Sequence, residues 1–593
     1  MRKLLPLAMF LALIALDYIY LYPGSHALFT QRTDTVMSDD TDGAPVAYSY
    51  DLILRTFKEH PSRLFYGSIY LDGANPEHGV ASWQPWNERS ILLAAAPFFA
   101  IEQISTAVVF MVLLFNALAM YALGRALKWD KSVSSGLAIA WAFCAFTRAR
   151  AKVHMAMAGT YHLPLIFLGL FLVVRGTGRK SLFGAAISLL LAATVVHYFL
   201  VTSLFLSPLF LVFVAIQPET RADWKRVTKR LIAALLPAML FLAFNFLKPI
   251  PSDVSISREQ SFPKGGEYIQ GQTHPFLYMF AAHPLDYLGS DISLQNQATD
   301  PNPLRQQINE HILRGLGNGN SHERTNGIRW LLLIFSLAAI VALARGRFKD
   351  EPALRVNTLY FTVFAALTFW LSQSPDFPFP KWGLSYWLHE LVSQVRVPSR
   401  AGINVHFAAI MLTGLFLSSK VKWRKWVLLP GVFPLLMIAG YPPLLQNIPM
   451  AQVRPVYTEL QRDRGGCGAG LYFPFVNSYA LTDLNYHFMQ RMRGSDCVIL
   501  NAMSTPKRLQ YLLGKFPPDL AYLNRLPTDE ETPRNLELLA RCVPLTWIAF
   551  DPGVPALWRE QMCRRLGWNM NADLTCIAPD KTLPLQRFPD ECG

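Results

Sequence analysis

Charge is what this sequence has least of. Only 16% of its 593 residues are Asp, Glu, Lys or Arg, against 52% hydrophobic residues, and the mean hydropathy is +0.23. That balance excludes a soluble globular protein of this length and describes a polytopic membrane protein. Residues 181–218 contain none of the four charged types, a run long enough for two membrane helices turning near His197 and Tyr198. Cysteine is nearly missing from the first 443 residues, where Cys144 stands alone. The tail holds the other six (Cys467, Cys497, Cys542, Cys563, Cys576, Cys592) but no CxxC or CxxH spacing, which argues against a zinc site. The tail also lacks a glycine-rich phosphate loop and a nucleophile elbow, so nothing in it points to nucleotide or acyl-transfer chemistry.

What is present is a series of apolar runs. A spanning helix needs roughly 20 mostly apolar residues. About eleven candidates follow, at 4–22, 104–124, 132–147, 161–174, 182–197, 199–216, 231–247, 329–344, 356–372, 401–418 and 427–443. The net charge of +14 comes mainly from short basic clusters between these runs. Arg125/Lys128/Lys131, Arg175/Arg179/Lys180, Arg221 to Arg230, Arg345 to Arg355 and Lys420 to Lys425 occupy every second loop, as the positive-inside rule requires of a chain with its N-terminus in the cytoplasm. Topology therefore accounts for the basic excess, and no nucleic-acid partner is expected.

This orientation divides the chain into a membrane domain, 1–443, with extracytoplasmic segments 23–103 and 248–328, and an extracytoplasmic tail, 444–593. Six cysteines in one exported piece read as up to three disulfides of open pairing. The tail reads as a small α/β domain, with buried strands at Gly468 to Pro474 and Leu545 to Asp551 and helices at Thr505 to Lys515 and Ala556 to Leu566. The segment 248–328 is too long for a simple connector and fits a cover over a site.

The chemistry is sought in the first outer segment. Asp39, Asp40 and Asp42 crowd into Ser38-Asp39-Asp40-Thr41-Asp42-Gly43, with Asp51 close behind. Repulsion among these carboxylates raises at least one pKa unless a cation or hydrogen-bond network intervenes, which suits a general base. The competing use of the same residues is a solvated turn.

Acidic residues directly after the first span, the following segment Tyr50 to His60, and eleven or so spans resemble the GT-C glycosyltransferases, which use polyprenyl-phosphate-linked sugars. The likeness covers residues 1–443. Asp42-Gly43 through Phe57, the later Val395-Arg396-Val397-Pro398-Ser399-Arg400, and the tail's Tyr472-Phe473-Pro474 and Tyr486 to Gln490 are similar to a bacterial group within that superfamily that carries an exported α/β tail. The resemblance implies an inverting transfer in which Asp40, with Asp39 and Asp42 as alternatives, takes the proton of an acceptor hydroxyl. The third acid departs from the paired acidic motif of the family; Asp39 and Asp42 are then candidates to hold a divalent cation, Mg or Mn. Implied partners are a polyprenyl-phosphate-linked sugar, a glycan, lipid or protein acceptor, and membrane lipids, at a bacterial inner membrane with the tail in the periplasm.

Outer loops are expected to be poor in Lys and Arg, and two are not. Arg148, Arg150, Lys152, His154 and His162 lie together in the loop 148–162, and Arg396 and Arg400 in the loop 373–400. An arginine fork matches phosphate oxygens, and Pro398 is placed to open a helix whose N-terminal amides favour anions. Arg396, Arg400, Arg148, Arg150 and Lys152 are thus candidates for the donor phosphate, with headgroup snorkelling as the competing use. His60, His78, Glu88, His154 and His162 are candidates for substrate contact, and His197 is a weaker one.

Three rivals remain. A lipid-linked glycan polymerase or ligase handles related donors and relies on outer arginines. A lipid or polysaccharide transporter places ionisable groups inside its helices, which here carry few beyond Asp17, Glu102 and His197. A non-catalytic envelope assembly protein tolerates loss of the acidic cluster.

Overall fold

A computed structural model of the full chain describes residues 11, 13–18, 21, 24–30, 35–38, 54, 97–99, 101–153, 157–195, 197–246, 277, 281–288, 326–328, 330–392, 395, 397–419, 446–449, 469–473, 498–499, 530–542, 545–550, 554–571 and 575–579. The apolar runs form helices: Ile101–Ala126, Lys131–Ala142, His162–Arg175, Arg179–Ala193, His197–Phe205, Ser207–Ile216, Trp224–Phe246, Trp330–Ala344, Pro352–Ser372 and Gly402–Ser418. Among the described residues, three helical stretches are long and apolar enough to cross a membrane: Thr106–Ala126, Pro352–Ser372 and Pro398–Ser418. A fourth is reached if the bent pair Tyr198–Phe205 and Ser207–Ile216 forms one span. The expected span 427–443 and helix 505–515 lie outside the described residues, as does most of the segments 23–103 and 248–328.

The charge-free run breaks twice. Helix Arg179–Ala193 ends at Thr194 and a new one opens at His197, close to the turn expected there. A second break at Leu206 bends the next two helices by 50°. Its cause is Pro208, which lacks the amide needed to continue the first helix but suits the first turn of the next.

Phenylalanine fills the centre. The ring of Phe167 lies 5.6 Å from Phe210, 5.2 Å from Phe213, 5.1 Å from Phe361 and 5.1 Å from Phe407, so one side chain joins four helices. Tilted and edge-on contacts at these distances are the favoured aromatic geometries. Helix Gly402–Ser418 closes on the buried Trp129 because residue 414 is glycine: a Cβ there would stand 2.2 Å from the indole.

Arg226 and Arg230, expected in a loop between two apolar runs, lie instead on helix Trp224–Phe246. Arg230 donates from Nε to the carbonyl of Val173 (3.2 Å), from Nη1 to Gly178 (3.3 Å), and from Nη2 to Leu172 (3.3 Å) and to Oγ of Ser181 (2.8 Å). Arg226 donates to the carbonyls of Gly176 (2.8 Å) and Val174 (3.4 Å). Together they cap the carbonyls of Leu172, Val173 and Val174 at the C-terminal end of helix His162–Arg175 and those of Gly176 and Gly178 just beyond it.

Among the described residues there are two sheets. Strand β1 (Thr35–Ser38) pairs antiparallel with β2 (Gln446–Pro449), with Ser38 opposite Gln446. The second sheet contains β3 (Ala469–Phe473), β4 (Val498–Ile499), β5 (Leu545–Phe550), β6 (Asn569–Met570) and β7 (Thr575–Ile577) in the order β4-β3-β5-β7-β6. β3 runs parallel to β4 and β5, while β7 is antiparallel to both β5 and β6. All six residues of β5 are buried, as an apolar strand in the middle of a covered sheet must be. Helix Ala556–Leu566 packs Trp558 against Phe473 at 5.3 Å, and the disulfide Cys563–Cys576 ties it to β7. Among the described residues that is the one disulfide; Cys144 is in none.

Candidate functional site

The segment 148–162 was expected to be an outer loop, and its first part is instead a helix, Ala145–Val153, closed into the protein. Arg148 and Arg150 are 2% and 0% exposed. A loop reading followed from the local charge of Arg-Ala-Arg-Ala-Lys; tertiary anchoring overrides it. Oγ1 of Thr147 lies 3.2 Å from Sγ of Cys144 and 3.4 Å from Oγ1 of Thr160. Asn116, buried in helix Ile101–Ala126, grips the returning strand of chain from both sides: Nδ2 donates to the carbonyl of Ala158 (2.8 Å), and Oδ1 accepts from the amide of Thr160 (2.9 Å). Buried arginines do not snorkel to lipid headgroups, so that use is removed for Arg148 and Arg150.

Aromatic rings join this helix to residues far away in sequence. The guanidinium of Arg150 stands 4.9 Å from the Phe146 ring centroid. Phe146 lies 6.0 Å from Phe199, and Phe199 stacks on His162 at 5.1 Å with 12° between ring planes. The neighbouring Tyr198, 6.3 Å from Phe199, faces the guanidinium of Arg400 at 5.2 Å. Helix His197–Phe205 thus inserts two rings that connect Arg150, His162 and Arg400. Cation–ring contacts of this length contribute about 0.5 to 2 kcal/mol.

Arg400 sits on a single 3₁₀ turn, Pro398–Ala401; the α-helix expected to open at Pro398 opens at Gly402. The turn's carbonyls are taken by distant side chains. Tyr198 donates its hydroxyl to Val397, and Nδ2 of Asn326 donates to Ser399 (3.2 Å). Nδ1 of His389 donates to the carbonyl of Val395 (3.1 Å), and Nε2 of His406 to that of Asn326 (3.1 Å). Tyr287 backs this knot: its hydroxyl is 2.6 Å from Oγ of Ser372, its carbonyl accepts from the amide of Ile328 (2.9 Å), and burial pushes its phenol above the usual range. The hydroxyl therefore stays protonated and neutral. Oγ of Ser399, beside Arg400, is buried without a hydrogen-bond partner among the described residues.

Of the residues expected at the site, Arg148, Arg150, His162 and Arg400 are described, and the last three are linked through the rings of Phe146, Phe199 and Tyr198. Lys152 belongs to helix Ala145–Val153, and its side chain is outside the described residues. Asp39, Asp40, Asp42, His60, His78, Glu88, His154 and Arg396 also lie outside them. Strand β1 ends at Ser38, immediately before the acidic cluster. Tyr198, Phe199, Asn326 and His406 were not singled out as site residues. The one sequence signal for them was polarity, Asn404 and His406 standing in an otherwise apolar helix.

No protein-family profile matches the chain, and no curated protein matches it. Solved structures that resemble it include the archaeal oligosaccharyltransferase AglB of Archaeoglobus fulgidus in complex with an inhibitory peptide and a dolichol-phosphate. That match has 12% identity and a TM-score of 0.46, covering 95% of this chain and 71% of that one. The apo form of the Archaeoglobus fulgidus oligosaccharyltransferase gives 12% identity and a TM-score of 0.43, over 92% of this chain and 69% of that one. Its complex with Zn and sulfate gives 13% and 0.41, over 94% and 69%.

One further ionisable group is notable. Asp17, in the helical stretch 13–18, is fully buried, and neither carboxylate oxygen has a hydrogen-bond partner among the described residues.

Proposed function

We propose that this protein is an inverting glycosyltransferase of the GT-C kind, moving a sugar from a polyprenyl-phosphate donor to an envelope acceptor at the outer face of a bacterial inner membrane. The observation that carries the reading is that Arg150, His162 and Arg400, from three separate parts of the chain, are linked through the rings of Phe146, Phe199 and Tyr198. Two guanidinium groups, those of Arg150 and Arg400, lie along this chain of rings, and a guanidinium fork matches phosphate oxygens.

The roles follow from exposure. Arg400 is half-buried and offers its planar fork to the donor's phosphate oxygens. Ser399 adds a hydroxyl beside it. Arg148 and Arg150, fully enclosed, act through a low-dielectric interior, where their field reaches further than it would in water. A first-segment carboxylate, Asp40 with Asp39 and Asp42 as alternatives, takes the proton of the acceptor hydroxyl. The acceptor oxygen then bonds to the anomeric carbon from the face opposite the phosphate, the bond from carbon to phosphate oxygen breaks, and polyprenyl phosphate leaves with that bond's electron pair. His60, His78, Glu88, His154 and Lys152 are proposed to line the acceptor and donor paths, and Arg396 to assist Arg400. No step is routed through a divalent cation at Asp39 and Asp42: those residues lie outside the described ones, and among the described residues no three His, Cys, Asp or Glu side chains gather.

The test is release of polyprenyl phosphate from a lipid-linked sugar by purified protein in vesicles. The wild type releases it in the presence of acceptor, and Asp39→Asn or Asp40→Asn does not. Undiminished release by both single variants, by the double variant and by the triple variant that adds Asp42→Asn would remove the carboxylate from the mechanism.

A further inference from the structure

We propose that Asn326 is a positioning residue for Arg400, through which the end of the second outer segment fixes the direction of the guanidinium. The inference rests on the reading that Arg400 meets the donor phosphate. A single 3₁₀ turn has poor hydrogen-bond geometry and little stability of its own. Within it the amide of Arg400 donates to the carbonyl of Val397 at 3.1 Å, so the rest of its orientation must come from outside. Tyr198 and Asn326 supply part of it. Tyr198 holds the carbonyl of Val397 and Asn326 that of Ser399, on either side of Pro398 and directly before Arg400. Tyr198 also faces the guanidinium, so one ring fixes both the turn and the cation it carries.

The chemistry requires an asparagine at 326. The carbonyl of Ser399 only accepts, which turns Nδ2 toward it and Oδ1 away. Oδ1 then lies over the Cα of residue 402, where a Cβ would come within 2.3 Å of it and 3.0 Å of the Tyr287 hydroxyl; glycine at 402 leaves that space. An aspartate at 326 has no donor for the carbonyl, and a glutamine is one methylene too long. Asn326 is itself 0% exposed and held from behind by His406, on the helix that follows the turn. The contact therefore ties residues 326–328 to both ends of the Arg400 turn, and a change in the second outer segment moves the phosphate-binding group.

The experiment uses full-length protein in detergent micelles, with undecaprenyl phosphate as the probe and undecaprenol, which lacks the phosphate, as its control. Wild-type protein is expected to bind the phosphate at least tenfold more tightly than the alcohol, and Arg400→Ala to lose that preference. Asn326→Ala and Asn326→Asp are each expected to weaken phosphate binding five- to tenfold, and to add less than twofold in the Arg400→Ala background. Gly402→Ala keeps every functional group, displaces Asn326, and is expected to give the same loss. Hydrogen exchange over residues 397–402 is expected to accelerate in the Asn326 and Gly402 variants without ligand. Unchanged exchange, unchanged affinity, or an equal loss in the Arg400→Ala background would overturn the positioning role. Equal wild-type binding of phosphate and alcohol would instead overturn the phosphate reading itself, while the exchange data still decide whether Asn326 orders the turn.

Discussion

Replacing Arg230 by methionine keeps the apolar stem and removes four hydrogen bonds, three of them to carbonyls of Leu172, Val173 and Gly178. Those carbonyls belong to the end of helix His162–Arg175 and the turn after it, and Arg230 is itself buried. At about 1 kcal/mol net for each bond, the loss is about 3 to 4 kcal/mol. The informative comparison is Arg230→Lys. Lysine preserves the positive charge that the topology rule counts, but a single ammonium cannot reach four acceptors spread over a guanidinium fork. It is expected to restore only about 1 to 2 kcal/mol of the loss. The assay is equilibrium unfolding in mixed SDS and non-ionic micelles, with a C-terminal reporter to follow orientation. Both variants are expected to keep wild-type orientation while unfolding at lower SDS fractions, in the order methionine, lysine, wild type. An Arg230→Lys protein as stable as the wild type would refute the reasoning, because charge alone would then suffice.

Other outcomes follow from the same contacts. Phe199→Ala empties the space between Phe146 and His162; it is expected to cost about 3 to 5 kcal/mol in the same unfolding assay, and Phe199→Leu less than half of that. Cys563→Ser with Cys576→Ser opens a loop with a sequence separation of 13 and is expected to destabilise the tail by about 2 to 4 kcal/mol, read as faster proteolysis between residues 545 and 579 with the helical domain intact. Arg400→Ala is expected to raise the donor KM about tenfold or more with a smaller change in kcat, measured by release of polyprenyl phosphate, because the lost contact is made in the ground state as well as the transition state.

Much of the helical frame was legible because a membrane helix announces itself by length and apolarity alone. The runs at 104–124, 356–372 and 401–418 correspond to helices Ile101–Ala126, Pro352–Ser372 and Gly402–Ser418. Strand β5 and helix Ala556–Leu566 were equally visible as an apolar run and an amphipathic one. The burial of Arg148 and Arg150 was not visible, since local charge signals exposure and the chain that follows them is held by Asn116 through Ala158 and Thr160, 42 and 44 residues away. Nor was the contact of Asn326 with Ser399, 73 residues apart, or of Tyr198 with Val397, 199 apart. Periodicity reports which face of a helix is apolar and carries no information about which distant loop meets it. Arg148, Arg150 and Arg400 stood out because basic residues are not expected in the alternate loops between apolar runs, a signal that is chemical and local at once.

Sugar transfer is tested by comparing envelope glycans and glycoproteins by mass spectrometry in cells lacking the protein, cells with it restored, and cells with Asp40→Asn or Arg400→Ala at matched abundance. A sugar present with the wild type, missing in the deletion, and not regained with Asp40→Asn is the predicted result, with partial recovery in Arg400→Ala. Identical glycans in all four strains would mean that the protein transfers no sugar to the envelope.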